Sequence, residues 1–267
     1  ADLLFPPRCA ICGTSTEKDG FCDNCLAQVS FIGSPMCPRC GLPYPVEDGV
    51  DHLCGDCLKG GQHFSVARSV GIYKDNILEI VHRFKYGRKL AAGRLLGSMM
   101  ADRAEGLFKI REYDVLVPVP LHKERLRHRG FNQSLLLARE ISGRFDLPVD
   151  FESLRRVRDT GPQASLGGNE RRDNVRGAFE AALSVKGKKV LLIDDVLTTG
   201  STVGECARAL VGRGALEVAV YTAARAVSGW RGLRERDGKD IGQERSETEN
   251  RCCEESREKG HIYERVF

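Results

Sequence analysis

The chain lacks most of the features that would place it in a membrane, in a secretory pathway or among the common nucleotide-hydrolysing enzymes. No apolar run approaches the ~18 residues a bilayer span needs; the longest, around residues 115–121 and 190–193, have strand length. The opening residues ADLLFPPRC carry neither a basic n-region nor an extended apolar core, so no secretory signal is expected. There is no G-x-x-x-x-G-K-[ST], which excludes a nucleoside-triphosphate P-loop. Helix-turn-helix character is absent, which counts against a nucleotide-sensing transcription regulator. Aromatic residues make up only 7%, and few of them, Phe84, Tyr86 and Phe131, are placed to stack on bases. Charge of one sign does not dominate either, with a formal net charge of +4 over 267 residues. That length suits one medium domain with a small appendage, or two modest domains.

What the chain does have is cysteine in one place. Of 11 cysteines, eight fall within the first 57 residues as four C-x-x-C pairs: Cys9/Cys12, Cys22/Cys25, Cys37/Cys40 and Cys54/Cys57. A two-residue gap lets both thiolates of a knuckle turn toward one cation, and two knuckles complete a tetrahedral site. Two structural Zn²⁺ ions are therefore expected in a Cys-rich module over residues 1–62. A disulfide framework fits poorly with the absence of a secretory signal, and a redox role fits poorly with four pairs. Sequential pairing would give two tandem ribbons, and interleaved pairing a RING-like module; the spacing allows both, and tandem ribbons are the expectation. A segment this short cannot fold on apolar burial alone, so metal would supply much of its stability.

From residue 63 the pattern changes. Residues 67–73 read as a strand, 76–84 and 88–108 as helices, 114–118 as a strand and 131–145 as a helix. Residues 190–193 then read as a wholly apolar strand, 200–213 as a helix with Val203, Cys206, Ala207 and Leu210 on its apolar face, and 216–223 as a strand. Strands apolar on both faces that alternate with helices predict a parallel sheet covered on both sides. The α/β domain is expected over residues 63–227. Residues 228–267 hold 9 Lys or Arg against 10 acidic residues and too little apolar content for a core, which predicts disorder.

The segment VLLIDDVLTTGST, residues 190–202, joins an apolar strand to two acids and a hydroxyl-rich loop. The strand delivers Asp194 and Asp195 to the carboxyl edge of the sheet, where α/β proteins bind ligands. Thr198, Thr199, Gly200, Ser201 and Thr202 offer successive backbone N–H groups and four hydroxyls, and a helix N-terminus follows. Such a loop fits a phosphate monoester, and the acids fit ribose hydroxyls with Mg²⁺ alongside. The segment resembles the 5-phosphoribosyl 1-pyrophosphate (PRPP) motif of type I phosphoribosyltransferases. The resemblance implies that fold, with Asp194 and Asp195 as ribose acids and residues 198–202 as the 5′-phosphate loop.

Two basic stretches complete the pattern. VPVPLHKERLRHRGFNQS, residues 117–134, brings Lys123, Arg125, Arg127 and Arg129. By the same resemblance it is the pyrophosphate loop, with Lys123, Arg127 and Arg129 neutralising the leaving group. LRRVRDTGPQASLGGNERRDNVRGAF, residues 154–179, lies where type I enzymes carry a hood. The order V-P-V-P-L, R-G-F-N-Q, R-x-R-D-T-x-x-Q-x-x-L, R-x-x-N-V-x-G-A-F and then the PRPP motif resembles the ComF family of competence-associated proteins, as do the Cys-rich start and Phe84-Lys85-Tyr86. The resemblance covers roughly residues 3–226. It implies a cytoplasmic protein that handles single-stranded DNA during natural transformation, with DNA-uptake or helicase proteins as partners. Lys85, Arg88, Lys89, Arg125, Arg127 and Arg129 could track a phosphate backbone. Active phosphoribosyl transfer to an acceptor is the alternative, although neither His122 nor His128 is a convincing general base.

Overall fold

A computed structural model of the chain describes residues 7–17, 20–46, 48–86, 90–158 and 174–227. The expected disorder of residues 228–267, the cations Arg88 and Lys89, and the middle of the hood lie outside the described residues.

Two short helices, α1 (Asp23–Ala27) and α2 (Gly55–Leu58), belong to the Cys-rich segment. Beyond it the centre is a four-stranded parallel sheet. Its strands are β1 (Ala67–Ile72), β2 (Val115–Pro118), β5 (Lys189–Leu197) and β6 (Glu217–Arg225), in spatial order β1-β6-β5-β2. The hood contributes a separate antiparallel pair, β3 (Leu154–Arg156) and β4 (Phe179–Ala181). Alternation along β5 explains why the sheet is covered on both sides. Leu191 and Ile193 face a core built with α3 (Asp75–Tyr86), α4 (Leu90–Leu107) and α6 (Gln133–Phe145), through Ile77, Phe84, Leu96, Met100, Leu137 and Ile141. Val190 and Leu192 face the opposite core, where α7 (Ser201–Gly212) contributes Val203, Cys206, Ala207 and Leu210. Each of these four strand residues is fully buried, worth about 1.5–3 kcal/mol apiece.

Among the described residues, α7 is the longest helix over the second face. More of its cover comes from the Cys-rich segment, where Cys37, Cys40, Cys54 and Cys57 share a core with Phe64, Ala67, Val115, Val218 and Val220, and from Leu154, Phe179 and Ala181 of β3 and β4. Contact is close. The Ala67 N–H donates to the Arg39 carbonyl at 2.7 Å, and a Cβ on Gly41 (φ +63°) would lie 2.7 Å from the Ala67 carbonyl oxygen. The same segment also lies along the outer edge of β1. The Ile32 N–H donates to the Val70 carbonyl at 3.0 Å and the Ile72 N–H to the Ser30 carbonyl at 2.8 Å, with Phe31 bridging Gly71 antiparallel.

Three elements differ from the sequence expectation. Residues 123–129 form a helix, α5 (Lys123–Arg129), whose last turn gathers Arg127, His128 and Arg129 against the carbonyl end. The helix expected from Phe131 begins at Gln133, because Asn132 is extended and caps it, its side chain accepting from the Ser134 N–H at 3.0 Å. Strand β5 runs on to Leu197, so both acids stand within the strand.

Candidate functional site

At the carboxyl edge of the sheet a cavity of about 640 Å³ opens, a size suited to a small ligand. Its floor is the acid pair. The Asp194 carboxylate accepts from the Ser134 hydroxyl and from the Asp195 N–H, both at 2.9 Å. The Asp195 carboxylate, almost wholly buried, is paired with the Lys85 ammonium at 2.9 Å. Burial, reinforced by the neighbouring Asp195 charge, pushes Asp194 up to about 7. Burial alone would lower the Lys85 pKa; the Asp195 charge and hydrogen bond, with Asp194 behind them, outweigh it and hold the ammonium above its ordinary value.

The hydroxyl-rich loop of residues 198–202 follows directly. Gly200 sits in the left-handed region (φ +79°) and caps α7, a conformation that costs glycine nothing. Thr198, Gly200 and Thr202 line the cavity, while the Thr199 and Ser201 hydroxyls bond each other at 2.8 Å. Four cations reach the same space: Lys85, Arg125, Arg129 and, from the hood, Arg156. Arg125 and Arg129 are four apart on α5 and so share one face. Of the three residues expected to hold pyrophosphate, Arg129 lines the cavity, whereas Lys123 and Arg127 are exposed and do not.

Lys85, Ser134 and Arg156 were not singled out as site residues from the sequence. Lys85 was visible only inside the family motif Phe84-Lys85-Tyr86, where it was assigned to nucleic acid; it is committed to Asp195 instead. Ser134 could have been reached through R-G-F-N-Q-S. There Gly130 (φ +83°) ends α5, Asn132 caps α6 and donates to the Val119 carbonyl at 3.1 Å, and Ser134 meets Asp194. Phe84 is no stacking platform, being fully buried against Phe131 with ring centroids 5.5 Å apart.

The cysteines form two groups, Cys9/Cys12/Cys22/Cys25 and Cys37/Cys40/Cys54/Cys57, in sequential pairing. Within each group all four sulfurs lie within 4.8 Å of one another. A tetrahedron with Zn–S of about 2.3 Å has S···S edges of about 3.8 Å. Cys12 Sγ to Cys22 Sγ and Cys40 Sγ to Cys54 Sγ are both 3.6 Å. Burial opposes ionisation of Cys37, but the N–H groups of Cys40, Cys54 and Arg39 overcome it and lower the thiol to about 6. Cys25, by contrast, is pushed up to about 12 by burial and by its three partners, so a cation is needed before all four thiols of its group can ionise together. The residues fit structural zinc at both sites, each closed by four protein ligands. No helix among the described residues is long and apolar enough to cross a membrane.

Residues 1–58 match the double zinc ribbon domain, and residues 132–246 the phosphoribosyl transferase domain. Competence protein F of Haemophilus influenzae is 31% identical over 233 residues, covering 84% of this chain and 99% of that protein. DNA utilization protein YhgH of Salmonella typhi is 36% identical over 228 residues, 82% of this chain and 97% of the relative. Competence protein ComFC of Bacillus subtilis is 29% identical over 211 residues, 75% and 82% respectively. An α/β phosphoribosyltransferase-type fold joined to two four-cysteine sites, with a relative 31% identical along nearly its whole length, places this chain in the competence protein F (ComF) family.

Proposed function

We propose that the chain binds PRPP together with Mg²⁺ in this cavity and acts in the cytoplasm in the handling of single-stranded DNA during natural transformation. One observation carries the binding half: the acid pair and the phosphate loop open onto a single cavity that also receives Lys85, Arg125, Arg129 and Arg156. Asp194 and Asp195 take the ribose 2′- and 3′-hydroxyls. The backbone of residues 198–202, at the α7 N-terminus, takes the 5′-phosphate. Arg129 with Arg125 takes the pyrophosphate, where Mg²⁺ would share the neutralisation of its charge. Lys123 and Arg127, exposed on α5 away from the cavity wall, remain available to a nucleic-acid backbone. The DNA half rests on what the relatives are called, competence and DNA utilization proteins, and on those cations. In this reading residues 1–62 are structural and residues 63–227 bind the ligand.

The test is thermal stabilisation by PRPP with Mg²⁺, with a parallel titration of a single-stranded oligonucleotide. The melting temperature should rise with PRPP by an amount set by its dissociation constant. The Asp194→Asn/Asp195→Asn double variant should lose that rise. Oligonucleotide affinity should fall with salt, by a slope of about −0.7 per phosphate neutralised. A wild-type protein indifferent to PRPP removes the central reading, and a salt slope near zero removes the DNA half.

A further inference from the structure

The two four-cysteine sites differ in their surroundings. The first leaves Cys12 exposed and Cys22 half-buried, whereas all four cysteines of the second are buried. A zinc ion with four thiolates carries a formal charge of −2, and burying that charge is unfavourable unless donors and cations surround it. Part of the compensation is backbone: the N–H groups of Cys40 and Cys54 both point at Cys37 Sγ from 3.5 Å.

The remainder comes from the transferase sheet. Arg225, the last residue of β6, is only 8% exposed, and its Nη2 lies 3.7 Å from Cys40 Sγ. Among the described residues no carboxylate pairs with it, and its Nε has no partner. A guanidinium stays charged at any ordinary pH, so one buried against neutral thiols would be an uncompensated cation. Against a zinc–thiolate dianion it is paired. The backbone of the same residue holds the other site. The Arg225 carbonyl accepts from the Tyr73 N–H at 2.7 Å, and the next residue, Ala226, donates its N–H to the Leu197 carbonyl at 2.9 Å. Tyr73 and Leu197 both line the cavity, and Leu197 immediately precedes the phosphate loop.

We propose that Arg225 is a positioning residue that offsets the charge of the second zinc centre and couples retention of that zinc to occupancy of the cavity. The coupling half rests on the PRPP reading; the charge half does not. Coupling between two bound species is reciprocal. If the zinc-loaded second site favours the binding form of the cavity, PRPP must favour retention of that zinc.

Zinc release from the full-length, zinc-loaded protein to a chromogenic chelator tests both halves. Wild type should release zinc in two phases, the fast one assigned to the exposed first site by its loss in Cys12→Ser. Partners outside the ligand set are worth about 10–100-fold in metal affinity. Arg225→Met should therefore speed the slow phase by at least about 10-fold, and Arg225→Lys by less. PRPP with Mg²⁺ should slow that phase in wild type and leave it unchanged in Arg225→Met. Release from both variants at the wild-type rate overturns the charge role. Protection by PRPP that persists in Arg225→Met, or its absence in a wild type that PRPP does stabilise thermally, overturns the coupling. If PRPP gives no thermal shift, the function reading falls while the comparison of rates still decides the role of Arg225. Should Arg225→Met fail to fold, Arg225→Lys and the wild-type protection measurement decide the same points.

Discussion

Asp194 is asked to hold a charge in an unfavourable place. Burial and the Asp195 carboxylate raise it to about 7, while the Asp195 N–H, Lys85 and the Ser134 hydroxyl pull in the other direction without prevailing. Its unfolded value is about 3.9. A folded value above the unfolded one means that protonation favours the native state. That contribution is fully present below about pH 4 and is lost as pH rises through about 7. Asp194→Asn should therefore raise the melting temperature of the ligand-free protein at about pH 8 and change it little at about pH 4. Equal gains at both pH values would show that Asp194 is not the titrating group. The acid pair stood out in the sequence through its combination with the apolar strand before it and T-T-G-S-T after it, since two acids ending a strand carry no such signal alone. Lys85 did not, since a lysine in a helix far earlier in the chain has no local mark that separates a buried ion pair from a solvated one.

At the scale of elements, the loop proposed to bind phosphate depends on one backbone conformation. A Cβ added at Gly200 would meet only the Leu197 side chain, at 3.9 Å, so crowding is not the obstacle. The cost lies in the positive φ, about 1–2 kcal/mol for any other residue. Gly200→Ala should lower stability by about that amount in urea unfolding and weaken PRPP about tenfold, since the loop would relax away from the left-handed form. Full stability with unchanged PRPP affinity would mean that the conformation is incidental. This element was readable from T-T-G-S-T. Helix α5 was not: it buries none of its residues, so KERLRHR has no apolar stripe to reveal a helical period. Without the helix, Arg125 and Arg129 cannot be placed on one face, nor Lys123 and Arg127 away from the cavity.

At the scale of the whole molecule, the change in composition near residue 62 marks where the C-x-x-C pairs end, while the packing runs through it. The second four-cysteine site does for one sheet face what a helix would otherwise do, and the approach is closest at Gly41. Gly41→Ala combines a positive φ with a Cβ 2.7 Å from a backbone oxygen that cannot swing aside. It should destabilise the folded chain by roughly 2 kcal/mol or more and make the Cys-rich segment more sensitive to limited proteolysis. Wild-type resistance in that variant would show that the segment is not held by this contact. The metal ligands were legible because thiolate spacing is a local property, whereas that spacing left sequential and interleaved pairing open and the structure brings them together sequentially. Their union with the sheet was not legible, because Arg225 and Cys40 are 185 residues apart in sequence and nothing in either neighbourhood refers to the other.

The strip of chain at residues 30–32 has a consequence for how the protein avoids itself. A bare outer strand would present a row of unsatisfied amide groups to any passing copy, the usual seed of edge-to-edge aggregation. β1 would be such a strand, since among the described residues it stands at the end of the spatial order β1-β6-β5-β2. Residues 30–32 close that flank, and because they precede β1 in the chain they are already made when it emerges from synthesis. The strip that covers the edge is thus available as soon as the edge exists.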